Sequence, residues 1–385
     1  MYGKMQKIVV ASDSFKGSLS SIQVADAVER AVMQVFPSCE VVKVDVADGG
    51  EGTMEALRRI LGGDEISVEV ADPLGRPIQA SYVILDDGQT AVLEMATASG
   101  LTLLGSDERN PLKTSTFGTG QLIADALDKG CRKFLVGIGG SATNDAGMGM
   151  LQALGARFFD ATGEELQGNG ESLEKVEYVD ISGICCSLKE SEFIVVCDVE
   201  APLYGPTGAA YVFSPQKGAD PTMVKKLDNG LKHFSEVALS TLQSLEDYSN
   251  TPGAGAAGGL GFGFIVFLNA RLERGIDMVL DAISFDSIID GADLIITGEG
   301  RVDSQTLTGK APFGVLQKAK KQGVPVVAIG GCVTLDQQDA REAGFAGVYA
   351  VTPAEMPLAT AMEPAVASEN ICNAVRSILS HCAVL

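Results

Sequence analysis

At both ends of this chain, short apolar runs stop abruptly in loops of Gly, Ser and Asp, and a stretch of helical periodicity follows. Residues 7–11 end in Ser12-Asp13-Ser14-Phe15-Lys16-Gly17-Ser18 and lead into 20–36, where Ile22, Ala25, Val28, Val32 and Val35 fall on one face. Residues 41–46 run into Ala47-Asp48-Gly49-Gly50-Glu51-Gly52-Thr53, with helical pattern through 61. The pattern returns at 294–297, which stop at Gly298-Glu299-Gly300-Arg301-Val302-Asp303 before a helix over 310–322. Runs at 324–329 and 347–351 and a last helix over 364–379 complete it. Strand, loop and helix in that order predict parallel strands with crossover helices, hence a doubly wound α/β sheet.

The middle of the chain reads differently. Residues 66–70, 80–85 and 91–95 are short strands separated by Asp72-Pro73-Leu74-Gly75 and Asp86-Asp87-Gly88, an antiparallel texture. Helices are expected over 118–129 and 221–245, and a strand over 192–196 ending in Cys197-Asp198-Val199. The economical arrangement is one domain from residues 1–65 and 288–385, with 66–287 inserted as a second α/β domain. A ligand cleft is expected where strand ends of the two face each other.

The middle segment holds the most pointed loop. Residues 134–138 read as a buried strand and 146–154 as a helix, with Gly139-Gly140-Ser141-Ala142-Thr143-Asn144-Asp145 between them. Ser141, Thr143 and Asn144 are N-cap types, so the helix is expected to begin here and to offer its N-terminus to an anion such as phosphate. Gly253-Ala254-Gly255-Ala256-Ala257-Gly258 matches the dinucleotide fingerprint in form, but Tyr248-Ser249-Asn250-Thr251-Pro252 before it is no buried strand. It is expected to be a flexible loop near the cleft rather than an NAD site.

Charge and composition exclude other classes. A net charge of −21 over 385 residues opposes general nucleic-acid binding. No apolar run is long enough to cross a bilayer and no signal peptide precedes residue 7, so a cytoplasmic protein is expected. The 8 cysteines form no C-x-x-C pair and are expected to be reduced, and the 2 histidines lie outside the glycine-rich loops. The chemistry therefore falls to carboxylates, lysines, hydroxyls and backbone. Asp48, Asp198 and Glu299 follow strands and Asp145 follows glycines, positions from which carboxylates can hold Mg²⁺ or cap a turn. Lys16 and Lys310 sit beside Gly and Ser or Thr, as phosphate-binding lysines do. Arg76 and Arg109 are of a type that clamps a carboxylate or serves a surface salt bridge.

Taken together these loops resemble the bacterial glycerate kinase family, of the glycerate 2-kinase type. The matching stretches are Asp13 to Ser18, Ala47 to Thr53, Gly139 to Asp145, Cys197-Asp198-Val199, Pro215-Gln216-Lys217-Gly218-Ala219, Pro252 to Gly259, and Gly298-Glu299-Gly300 with Asp303, Gln305, Thr306, Gly309 and Lys310. They are co-linear over nearly the whole chain. Ala146 and Ser214 stand where the family usually has Gly, and Ala201 where Asn is common. The resemblance implies a flavodoxin-like domain split by an inserted one, and ATP-dependent, Mg²⁺-requiring phosphorylation of D-glycerate, at the 2-hydroxyl or alternatively at the 3-hydroxyl. Within that reading Lys16 and Asp198 are the catalytic candidates, Asp198 as base. Gly139, Gly140, Ser141, Thr143, Asn144 and Lys310 are expected on phosphate or nucleotide, Arg76 and Arg109 on substrate, and Asp48, Asp145 and Glu299 on metal.

Overall fold

The computed structural model describes residues 5–46, 57, 58, 61–244 and 246–382. The loop carrying Asp48 lies outside them. The strands are β1 (Lys7–Ser12), β2 (Glu40–Asp45), β3 (Asp64–Ala71), β4 (Pro77–Ile84), β5 (Thr90–Glu94), β6 (Lys133–Gly137), β7 (Arg157–Phe159), β8 (Tyr178–Asp180), β9 (Glu192–Val196), β10 (Arg271–Glu273), β11 (Leu294–Val302), β12 (Val326–Val333) and β13 (Gly347–Ala350). The helices used below are α1 (Ser21–Val35), α2 (Phe117–Asp128), α3 (Met148–Ala153), α4 (Pro221–Thr241), α5 (Ala256–Leu268), α6 (Gly275–Ala282), α7 (Ala311–Gln322) and α8 (Pro364–Cys382). The chain divides into two compact units, Met1–Ala56 with Gly275–Leu385, and Leu57–Arg274.

The first unit is built on a parallel sheet in the order β13-β12-β11-β1-β2. Counted within the unit this is 2-1-3-4-5, the flavodoxin-like doubly wound order. Alternation along β1 sends Ile8 and Val10 to a core shared with Val24, Val28, Ile371 and Val375 of α1 and α8. Helix α1 starts where it does because Ser20 and Gln23 close a capping box. On the other face lies α7, with Val315, Leu316 and Ala319 buried. Helix α6 packs on α7 so closely that a Cβ on Gly314 would stand 2.4 Å from Ile276 Cγ1. Residues from Gly275 onward therefore belong to this unit rather than to the middle segment.

One strand is longer than its sequence suggested. Gly298 to Arg301, expected as loop, continue β11 and pair with β12 in parallel, Glu299 opposite Gly330 and Arg301 opposite Cys332. Glycine is a poor strand former, but here it lets the strands meet: a Cβ on Gly298 would lie 2.4 Å from Ile329 O.

The second unit has a mixed sheet in the order β10-β9-β6-β5-β4-β3. The antiparallel texture is the β3-β4-β5 edge, while β5, β6, β9 and β10 run parallel. Phe134 and Phe193 stack across β6 and β9 with ring centroids 4.6 Å apart, and Phe264 of α5 adds to them. Helix α4 is started by Asp220, whose carboxylate accepts from Thr222 and Met223 N–H, with Pro221 at its first position. Among the described residues no helix is long and apolar enough to cross a membrane, and Cys39, Cys131, Cys185, Cys186, Cys197, Cys332 and Cys372 are free thiols.

Candidate functional site

In the first unit the chain winds outward in opposite directions from β1 and β11, which makes their C-terminal ends the topological switch point. A cavity of about 820 Å³ opens there. Asp13, Lys16, Glu299, Arg301 and Lys310 line it together with Val333, Val351, Pro353, Met356 and Met362. Lys16 is exposed, just before Gly17, whose φ of +79° turns the loop. Lys310 Nζ lies 3.1 Å from Glu299 Oε2 and 3.9 Å from Asp303 Oδ1, while Thr306 Oγ1 donates to Glu299 Oε1 at 2.6 Å. Three sequence candidates, Lys16, Lys310 and Glu299, thus share one cavity whose lining mixes charged and apolar side chains.

In the second unit the loop after β6 lies at the sheet edge where the parallel strands end. Gly137 is opposite Glu94 on one side and Val196 on the other, so exposed Asp198, just past Val196, shares that edge. The loop differs from its expected form. Helix α3 begins only at Met148, after Ala146 and Gly147 take φ values of 52° and 77°. The helix is short and starts beyond the glycines, so no helix N-terminus faces a ligand at Ser141. Thr143 and Asn144 do not cap it either. Both are buried, and Thr143 Oγ1, Asn144 Oδ1 and Asn144 Nδ2 have no hydrogen-bond partner.

Asp145 performs the capping. Its Oδ2 accepts from Thr116 N–H and Thr116 Oγ1, each at 2.8 Å, and from Gly149 N–H at 3.3 Å. Its Oδ1 accepts from Gly147 N–H at 3.2 Å. Burial raises the carboxyl pKa, and these donors oppose the rise. A carboxylate so enclosed has no free face for Mg²⁺, so the metal role expected for Asp145 gives way to a structural one. No three His, Cys, Asp or Glu side chains among the described residues are grouped to hold a metal ion.

The Gly/Ala segment is the back wall of the loop rather than a flexible flap. Gly258 has φ +70°, and a Cβ on it would lie 2.2 Å from Thr143 O and 2.5 Å from Asn144 Cα. Its carbonyl accepts from Ala146 N–H at 3.1 Å. A Cβ on Gly259 would meet Ala146 Cα at 3.0 Å. The glycines admit a neighbouring backbone, which leaves no space for a pyrophosphate.

The residue that sequence reading passed over is Lys217. It is 2% exposed, and its ammonium donates to Ser141 Oγ and Thr143 O, both at 2.7 Å. Burial pulls its pKa down to about 7, with the Asp145 carboxylate pulling the other way. The signal was a lysine within Pro215-Gln216-Lys217-Gly218, a turn in which Gly218 takes φ +94°. Arg109 runs against that turn: a Cβ on Gly218 would lie 2.3 Å from Arg109 O, and Arg109 Nε is buried without a partner. Arg76 is placed otherwise. Its Nε donates to buried Asp72 at 2.5 Å and its Nη1 to Glu108 at 2.6 Å, so its guanidinium is already committed to carboxylates.

The sequence profile described as Glycerate kinase family matches residues 8–383. A "Glycerate kinase" of Bacillus subtilis (strain 168) is 48% identical, over 93% of this chain and 94% of that protein. A "Glycerate 2-kinase" of Escherichia coli (strain K12) is 45% identical, over 98% of both chains. A crystal structure from Salmonella typhimurium LT2, of a candidate glycerate kinase 2, superposes with a TM-score of 0.84 at 42% identity, covering 99% of each chain.

Proposed function

The chain belongs to the glycerate kinase family, and from that premise we propose that it transfers the terminal phosphoryl group of ATP to the 2-hydroxyl of D-glycerate. The observation that carries the reading is the cavity at the switch point of the first unit. Its volume of about 820 Å³ suits a nucleotide, and its lining holds both charged and apolar side chains, as the two chemistries of one require. Val333, Val351, Pro353 and Met356 take the base. Lys16 and Lys310 take phosphate oxygens.

Phosphoryl transfer asks little covalent chemistry of a protein: phosphates must be aligned and neutralised, and one hydroxyl must lose its proton. Mg²⁺ would supply charge to neutralise the phosphates. Such an ion keeps several waters and needs only one or two protein carboxylates, and Glu299 and Asp13 on the cavity wall would hold it. In the second unit the Gly139 to Asn144 loop receives an anionic group of a substrate through backbone N–H and Ser141. Arg109, with its unpartnered Nε beside the Lys217 turn, is the carboxylate partner that Arg76 is not. Asp198, exposed at the end of β9, accepts the hydroxyl proton.

The test is ADP release by the purified protein with Mg²⁺, with and without D-glycerate. The reading expects release only with D-glycerate, and a loss of about 10²-fold or more in Asp198→Asn. Release independent of glycerate would remove it.

A further inference from the structure

A lysine ammonium seldom lies in a protein interior, because taking it out of water costs several kcal/mol unless charge and hydrogen bonds compensate. Lys217 has two oxygen partners, and neither is charged. Those partners stand at the two sides of Ala142, so the ammonium ties Ser141 and Thr143 together beneath the loop. Beside it are unpartnered, fully buried atoms of Thr143 and Asn144. The loop is meanwhile fixed from other sides: Thr114 Oγ1 donates to Ala142 O at 2.9 Å, Leu101 N–H to Gly140 O at 2.8 Å, and Ala142 N–H to Ser99 O at 2.9 Å. A loop already held so firmly does not need a buried ammonium for shape alone.

We propose that Lys217 is a positioning residue for the reaction, holding Ser141 in place while lending the loop the positive charge that attracts a substrate anion. The anion is a carboxylate or a phosphate, and its arrival compensates the ammonium as neither neutral partner does. The inference rests on the reading of the loop as an anion site. Charged groups on the elements around Lys217 are Asp145 in the loop, Arg109 against Gly218, and Asp220 at the start of α4. Asp145 is saturated by its own donors, and Asp220 is engaged by Thr222 and Met223 N–H.

The depressed pKa of about 7 gives the role a signature. Below that pH the ammonium is charged and draws the anion. Above it the amine is neutral, and attraction is lost as pH rises unless the anion holds the proton on. In the wild type the KM for one anionic substrate should rise by about tenfold between pH 6.5 and 8.5. Lys217→Met should show that KM about tenfold higher at pH 6.5 and should lack the rise between pH 6.5 and 8.5 that the wild type shows. Titration of ATP's own phosphate is common to both proteins and cancels. If the KM for D-glycerate moves, the anion is its carboxylate; if that for ATP moves, a phosphate.

A folded Lys217→Met protein with the wild-type KM values and the wild-type pH profile overturns the proposal. If that variant does not fold, a flat wild-type KM for both substrates over the same pH range overturns it alone. Should the wild type not phosphorylate D-glycerate at all, the broader reading fails separately. Calorimetry in two buffers then tests Lys217, through proton uptake when ATP or D-glycerate binds the wild type at pH 8. Uptake with one of them supports the charge-lending role, and uptake with neither rejects it.

Discussion

Two glycine-rich regions of this protein carry its candidate chemistry, and they use their glycines differently. In the second unit Gly258 brings its backbone against Thr143 and Gly259 against Ala146, behind a loop whose Gly139 has nothing within 4 Å of its Cβ position. In the first unit Gly298 likewise meets Ile329 O of the next strand, but Gly300 borders an open cavity with charged residues on its wall. The first region is braced by Asp145 and Lys217 beneath an exposed Gly139-Gly140. The second is half-buried, with Lys310 paired to Glu299 on the cavity wall and to Asp303. Similar composition thus yields a rigid anvil in one unit and a receptive space in the other.

The largest expected effect comes from filling the closed region. Gly258→Ala puts a methyl into Thr143 O at a φ that L residues avoid, and should cost about 3 kcal/mol or more in chemical denaturation. Gly139→Ala sharpens the contrast, because nothing lies within 4 Å of its Cβ position. Stability should then hold within about 0.5 kcal/mol while turnover falls, if an anion must approach that backbone. Equal stability losses in the two variants would erase the distinction.

In the open region Lys16→Met should leave the melting temperature close to that of the wild type and lower turnover by about 10²-fold. Near-normal turnover in the folded variant would return Lys16 to the ordinary surface. The smallest effect belongs to Arg76→Ala. Asp72 keeps its bonds from Leu74 and Arg76 backbone N–H, so the melting temperature should stay close to that of the wild type. The KM for D-glycerate should stay within about twofold; a tenfold rise would make Arg76 the carboxylate clamp after all.

The alternation of apolar run, loop and helix was enough to read a doubly wound parallel sheet, because each strand of a parallel sheet is buried on both faces and its helix follows; the flavodoxin-like form came only with the family resemblance. What escaped was set by tertiary packing. Gly298 to Arg301 look like loop by propensity, and only pairing with β12 makes them strand. Asp145 looks like a metal ligand until Thr116, distant in sequence, and Gly147 fill its oxygens. Ala146 carries a left-handed φ that its side chain disfavours, so the late start of α3 was not written in the local sequence. Lys217 sits in a turn where lysine is ordinarily solvated. Its burial is decided by Ser141 and Thr143, which lie far away along the chain.

The most direct measurement is the product itself. After incubation with ATP, Mg²⁺ and D-glycerate, the proton-coupled phosphorus spectrum reports how many hydrogens are on the carbon bearing the phosphate. Transfer to the 2-hydroxyl places it on a carbon with one hydrogen, so the account predicts a doublet together with stoichiometric ADP. A triplet would place the phosphate on the 3-hydroxyl, and the absence of any new ester signal would contradict glycerate phosphorylation altogether.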